Sequence, residues 1–250
     1  MDRRAFLKSL ALTALGLSLP GRSHAFGQAS QFIPAVARHG GDWDARIGAL
    51  RSLCWEIASR TNIRAFPEPR PVALASKELF GFPFLYMGGS GEFPPLRESE
   101  LANLRRFLTF GGFLLADAND GSSGSGFDRA FRREATRLFP DRPLARLPSD
   151  HVAFKSFYLL DRQAGRLNTR PFLEALLDDN GRALIVYSQN DLAGAFQRDE
   201  LGEWAYEVSP GGPTQRELAV RVAVNLAMYA TCLDYKSDML HLPFLMKRRR

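Results

Sequence analysis

Short apolar runs rich in valine, phenylalanine and isoleucine alternate along the chain with segments whose apolar residues recur at helical spacing. Side chains alternate across a pleated strand but return to one face of a helix about every 3.6 residues, so the two patterns separate the element types. Residues 32–37 read as a strand, 45–61 as an amphipathic helix, 71–75 as a short strand and 82–87 as a buried one. The spacing predicts a helix over 96–110, with Leu101, Leu104 and Leu108 facing inward, then a strand over 113–117. A further helix is expected over 127–139, turning Phe127, Phe131, Ala135 and Leu138 inward and Arg129, Arg132, Arg133 and Arg137 outward. An irregular stretch at 140–152, a strand at 183–187 and a long helix at 213–231 complete the reading. Strands alternating with helices predict an α/β fold, a mostly parallel sheet covered by helices on both faces.

The first residues stand apart from this pattern. MDRRAFLKSLALTALGLSLPGRSHAFG has a charged start, an apolar middle and a small-residue end, and no polar face recurs in it at helical spacing. Arg3 and Arg4, followed by Ala5, Phe6, Leu7 and Lys8, resemble the core of a twin-arginine export signal, with cleavage expected after Ala25. The apolar run is shorter than the roughly 20 residues a bilayer span requires. Residues 1–25 are therefore expected to be a signal peptide and 26–250 a single domain working in the periplasm, without a transmembrane span in the mature chain.

Charge then changes meaning. The chain carries 33 Lys and Arg against 27 Asp and Glu. Arg3, Arg4, Lys8, Arg22 and the tail from Lys247 to Arg250 hold the excess, against Asp2 alone on the acidic side, so the body is close to neutral. A nucleic-acid footprint is not expected. The tail, MLHLPFLM followed by KRRR, is expected to pack its apolar part on the body, with His241 helping to dock it; the basic end offers peripheral contact with an anionic membrane.

The alternation resembles flavodoxin, and open α/β sheets bind ligands beyond the carboxyl ends of their strands. Those ends hold Asp42 and Trp43 after the first strand, and Ser90 and Glu92 after the buried strand at 82–87. Asp117, Asn119 and Asp120 follow the strand in GGFLLADANDGSSGSGFDR, and Asn190 and Asp191 follow the strand at 183–187. These nine residues are the expected ligand contacts. The segments GDWD (41–44), FPFLYM with GGSG (82–91), LRRFL (104–108), GGFLLAD (111–117), PSDH (148–151), YSQNDL (187–192) and YKSDMLHLPF (235–244) resemble a bacterial family catalogued as domain of unknown function four-one-five-nine. The resemblance implies a fold like that of the class I glutamine amidotransferases.

Such enzymes place a cysteine on a sharp strand-to-helix turn beside a histidine. Here that turn holds Ala118, Asn119 and Asp120, and Ser90 stands where many relatives carry a histidine, so glutaminase chemistry is not expected. The serine-rich run lacks the G-x-S-x-G spacing of a hydrolase elbow, and no phosphate-binding motif is in frame. Ser125 with Asp128 reads as a helix cap. Cys54 shares a core stripe with Ile47, Leu50 and Ile57, and its pairing with Cys232 is left open by sequence. Asp117, Asp120, Asp150, His151 and Asp191 could ligate a hard cation but have no diagnostic spacing, and no cofactor is expected. Two functions follow. The first is a non-catalytic amidotransferase-like module binding a small polar ligand or an envelope protein; the second is a periplasmic hydrolase using Asp120, His151 and Asp191 with water or a metal.

Overall fold

The computed structural model describes residues 31–121, 123, 124 and 126–231. The expected signal segment, Ser125, Cys232 and the basic tail with His241 lie outside the described residues. Among the described residues, nine strands run in the order β1 (Gln31–Phe32), β2 (Ala35–Arg38), β3 (Arg64–Ala65), β4 (Arg70–Ala73), β5 (Phe84–Gly89), β6 (Phe113–Ala118), β7 (Ala145–Arg146), β8 (Glu174–Leu177) and β9 (Ala183–Ser188). The helices are α1 (Ile47–Arg60), α2 (Glu98–Thr109), α3 (Gly126–Leu138) and α4 (Gly212–Thr231).

Seven strands form one sheet in the order β4-β2-β5-β6-β9-β8-β7. The five from β4 to β9 are parallel, and β8 and β7 extend the sheet antiparallel at one edge. The short β1 and β3 pair separately. Every residue of β5, β6 and β9 is buried, as strands covered on both faces require. Alternation divides them between two cores. Val36, Phe84, Tyr86, Phe113, Leu115 and Val186 pack with α1 and α4. Ala37, Leu85, Met87, Leu114, Ile185 and Tyr187 pack with α2 and α3 on the opposite face. The α/β class with helices on both faces is thus observed. None of the helices among the described residues is long and apolar enough to cross a membrane.

The differences from the sequence pattern are local and physical. Pro34 interrupts the strand expected over 32–37, leaving β1 to pair with β3 and β2 with the main sheet. The strand β5 runs on through Gly88 and Gly89, where the Tyr86 and Asp42 side chains come close to the backbone. A Cβ on Gly88 would stand 2.3 Å from the Tyr86 hydroxyl, and one on Gly89 would stand 2.8 Å from Asp42 Oδ1. The arginines of α3 are not a free solvated face. Arg132 bridges Asp128 and Glu174, Arg133 and Arg137 bind the buried Glu134, and Arg129 pairs with the exposed Glu92. Cys54 is buried as expected; its thiol donates to the Phe66 carbonyl at 3.1 Å, and burial pushes its pKa up to about 12.

Candidate functional site

The parallel strands deliver their carboxyl ends to one edge, and the expected residues meet there in two groups. The first surrounds the ends of β2 and β5. Asp42 is exposed, yet its carboxylate accepts the Ser90 amide at 3.0 and 2.9 Å and that of Gly91 at 3.5 Å. Burial opposes its charge, but these amides hold its carboxyl below the usual range. An acid of this chain therefore occupies the concavity of backbone N–H groups after β5. His39 closes the same corner: Nδ1 accepts from the Gly41 amide and Nε2 donates to the Gly88 carbonyl, both at 3.0 Å. Burial lowers its pKa. Trp43 is half-buried, with the Arg38 guanidinium 5.6 Å from its ring centre.

The second group lies between β6 and β9 and is sealed. Asp191 is fully buried and adopts a left-handed backbone, φ 49°, a conformation that aspartate tolerates better than most residues. Its carboxylate receives a two-pronged pair from Arg46, Nε to Oδ1 and Nη2 to Oδ2, each at 2.8 Å. It also receives Arg166 Nε and, at 3.1 Å, the Gly194 amide. Burial works against the charge of Arg46, but its bonds to Asp191 outweigh that and raise its pKa. Arg46 continues to the Tyr206 hydroxyl at 2.9 Å.

Asp117, equally buried, fastens the end of β6 to the turn after β9. Its two oxygens accept the Leu192 and Ala193 amides at 2.8 and 2.9 Å, and the Tyr86 hydroxyl lies 3.3 Å from Oδ2. With its amide nitrogen turned toward Tyr86, Asn119 donates to that hydroxyl at 3.2 Å and accepts the Gly89 amide at the same distance. Burial and the neighbouring Asp191 charge lift the Asp117 carboxyl to about 7, against the pull of the two amides.

A strap formed by residues 163–170 covers these strand ends. The Arg166 and Leu167 amides donate to the carbonyls of Asp191 and Asn190 at 3.0 Å, and Asn190 holds both the amide and the carbonyl of Arg170 through its side chain. Approach is so close that a Cβ on Gly165 would stand 2.3 Å from the Asn190 carbonyl oxygen. Below the strap, a Cβ on Gly121 would stand 2.3 Å from Leu167 Cδ1.

Of the nine expected contacts, Asp42, Ser90, Glu92 and Asp120 are exposed, whereas Asp117, Asn119, Asn190 and Asp191 are buried. His151 corrects the hydrolase arrangement. It caps a short helical turn, with Nε2 3.0 Å from the Gly181 carbonyl in the turn between β8 and β9. That turn precedes β9 while Asp191 follows it, and a six-residue strand spans about 20 Å. Asp120, His151 and Asp191 therefore do not assemble into one site. Among the described residues no three His, Cys, Asp or Glu side chains come close enough to share a metal ion. Arg46, Arg166, Tyr86 and Tyr206 were not among the expected site residues; the only local signal was Tyr86, a polar tip inside an apolar run.

The parallel strands of this α/β chain end in a buried acidic pair, Asp117 and Asp191. Residues 33–231 match the family described as Domain of unknown function (DUF4159), and the chain belongs to that family. No curated protein matches the chain.

Two outcomes follow from the buried acids. Asp191→Ala leaves two arginines facing an empty buried site, and the expected loss is about 3–5 kcal/mol of stability in denaturant titrations; adding Arg46→Met should recover part of it. The Asp117 carboxyl titrates higher in the folded chain than its ordinary 3.8. The stability linked to it is therefore complete below that value and is lost as pH rises through about 7. Thermal unfolding followed from pH 4 to 8 should show a shallower decline for Asp117→Asn than for the native chain.

Proposed function

We propose that this chain is an exported, non-catalytic module of the cell envelope, amidotransferase-like in fold, that binds a small polar ligand or a partner protein. One observation carries the reading. At the position where an amidotransferase would expose its nucleophile, this chain has Asn119 and Asp120, and the acids on either side are engaged inward by Arg46, Arg166, Tyr86 and backbone amides. A carboxylate held in that way is a structural fastener, because a reacting group must be reachable by substrate. The flavodoxin-like subtype is supported by the parallel strands, which cross the sheet as second, first, third, fourth and fifth in chain order.

Export by the twin-arginine route to the periplasm rests on Arg3, Arg4 and the small-residue end before Ala25. The basic tail supports peripheral contact with anionic lipid. The hydrolase reading is not favoured, since His151 stands at the other end of β9.

Purified protein incubated with glutamine is expected to release no glutamate, and glutamine turnover that Asp120→Ala abolishes would refute the non-catalytic reading. In cell fractionation the native chain should appear in the periplasm. The double change Arg3→Lys, Arg4→Lys should retain it in the cytoplasm; an unchanged distribution would remove the twin-arginine route.

A further inference from the structure

Two adjoining cavities, about 450 and 700 Å³, flank the first turns of α4 and share Pro213 and Glu217 in their walls. Both volumes fall in the range of about 300–1,000 Å³ that small-molecule sites occupy. The smaller one also borders the last turn of α1. Its charged lining divides into groups already paired and groups that are not. Arg60 binds Glu56 through Nε at 2.7 Å and Glu217 through both terminal nitrogens at 2.7 and 2.9 Å. Arg221 Nε also binds Glu217 at 2.7 Å, so these two arginines and two glutamates neutralise one another in place.

Two opposite charges remain. Arg216 enters no ion pair among the described residues. Its guanidinium is nevertheless fixed, donating to the carbonyls of Ala195 and Tyr206 and stacking 4.4 Å from the Trp204 ring centre. Arg198 stacks on the same ring at 3.7 Å, so two cations sit together without a carboxylate between them. Glu207 lines the cavity, is exposed, and makes no hydrogen bond or ion pair within the described residues. It does not pair with Arg216. Trp204, Val208, Pro213 and Val220 supply the apolar part of the wall.

A fixed cation and a free carboxylate that border one cavity without meeting each other are complementary to a molecule whose own opposite charges are held apart. We propose that the 450 Å³ cavity binds a small zwitterion with an apolar body, a dipeptide of aliphatic residues. Its carboxylate lies on Arg216, its ammonium on Glu207 and its side chains against Trp204, Val208 and Val220. Arg is suited to the first contact because its planar fork matches a carboxylate. Neither contact requires a bond to form or break.

This inference names the ligand class of the binding module proposed above and rests on that reading. The test is calorimetric titration of the purified protein with leucyl-leucine, N-acetyl-leucyl-leucine and leucyl-leucine amide. The free dipeptide should bind, and each blocked form should bind at least about tenfold more weakly. Glu207→Gln should remove the discrimination against the acetylated form alone. Because Glu207 holds nothing in place, that variant should keep the native unfolding temperature, whereas Arg216→Gln serves only as a companion. Equal binding of the free and blocked forms, or no heat from any of them, would overturn the site. If the dipeptide is bound and also hydrolysed, the site stands and the non-catalytic reading falls. If it fails while an unrelated ligand raises the unfolding temperature in a screen, the reading stands and the dipeptide site falls.

Discussion

A carboxylate without access to water, Asp191, holds two arginines from distant parts of the chain, and the carboxyl edge of the sheet is arranged around it. Taking three charged groups from water costs several kcal/mol each unless their partners are nearly complete. Completeness explains the surrounding geometry. The left-handed backbone at Asp191 turns the carboxylate back under the chain, and Gly194 is glycine because a Cβ there would stand 2.2 Å from Asp191 Oδ2. Arg46 is placed at the entrance to α1, and Arg166 in the strap that crosses the strand ends. Two distant segments and the acid's own turn converge on one carboxylate.

The neighbouring Asp117 shows the same logic at lower charge. It sits at the carboxyl end of β6, and both its oxygens take up amides of the turn after β9. That carboxyl is a joint between β6 and the turn after β9. Residues that look like a ligand cradle in sequence have become fasteners between loops, and at Gly165 the strap lies directly against Asn190.

The helices and buried strands were legible because their periodicity depends only on which residues face the core. The pattern places α1, α2, α3 and α4 within a few residues of their observed ends. The strand β8 was not legible. Its residues, EALL, favour helices, and they form a strand because the turn from Asp178 to Arg182 folds them back along β9. The acids and amides at strand ends were correctly located by the α/β rule, yet their burial could not be read. Arg46 lies 145 residues from Asp191 in the chain, and a lone arginine at a helix entrance ordinarily signals a solvated surface. His151 beside Asp150 suggested a base for the opposite reason: the two are neighbours in sequence, while the sheet sends them to the far end of β9.

Tyr206 stands between the sealed edge and the open cavity. Its hydroxyl accepts Arg46 and its carbonyl accepts Arg216, so one residue touches both the guanidinium that grips Asp191 and the one that lines the cavity. The two guanidiniums are thereby joined by one contiguous hydrogen-bonded path. Arg46 also lies over the Tyr206 ring, 4.4 Å from its centre. The tyrosine thus makes the cavity wall and the strand ends neighbours through a single side chain and its own carbonyl, so the open cavity borders directly on the anchorage of Asp191.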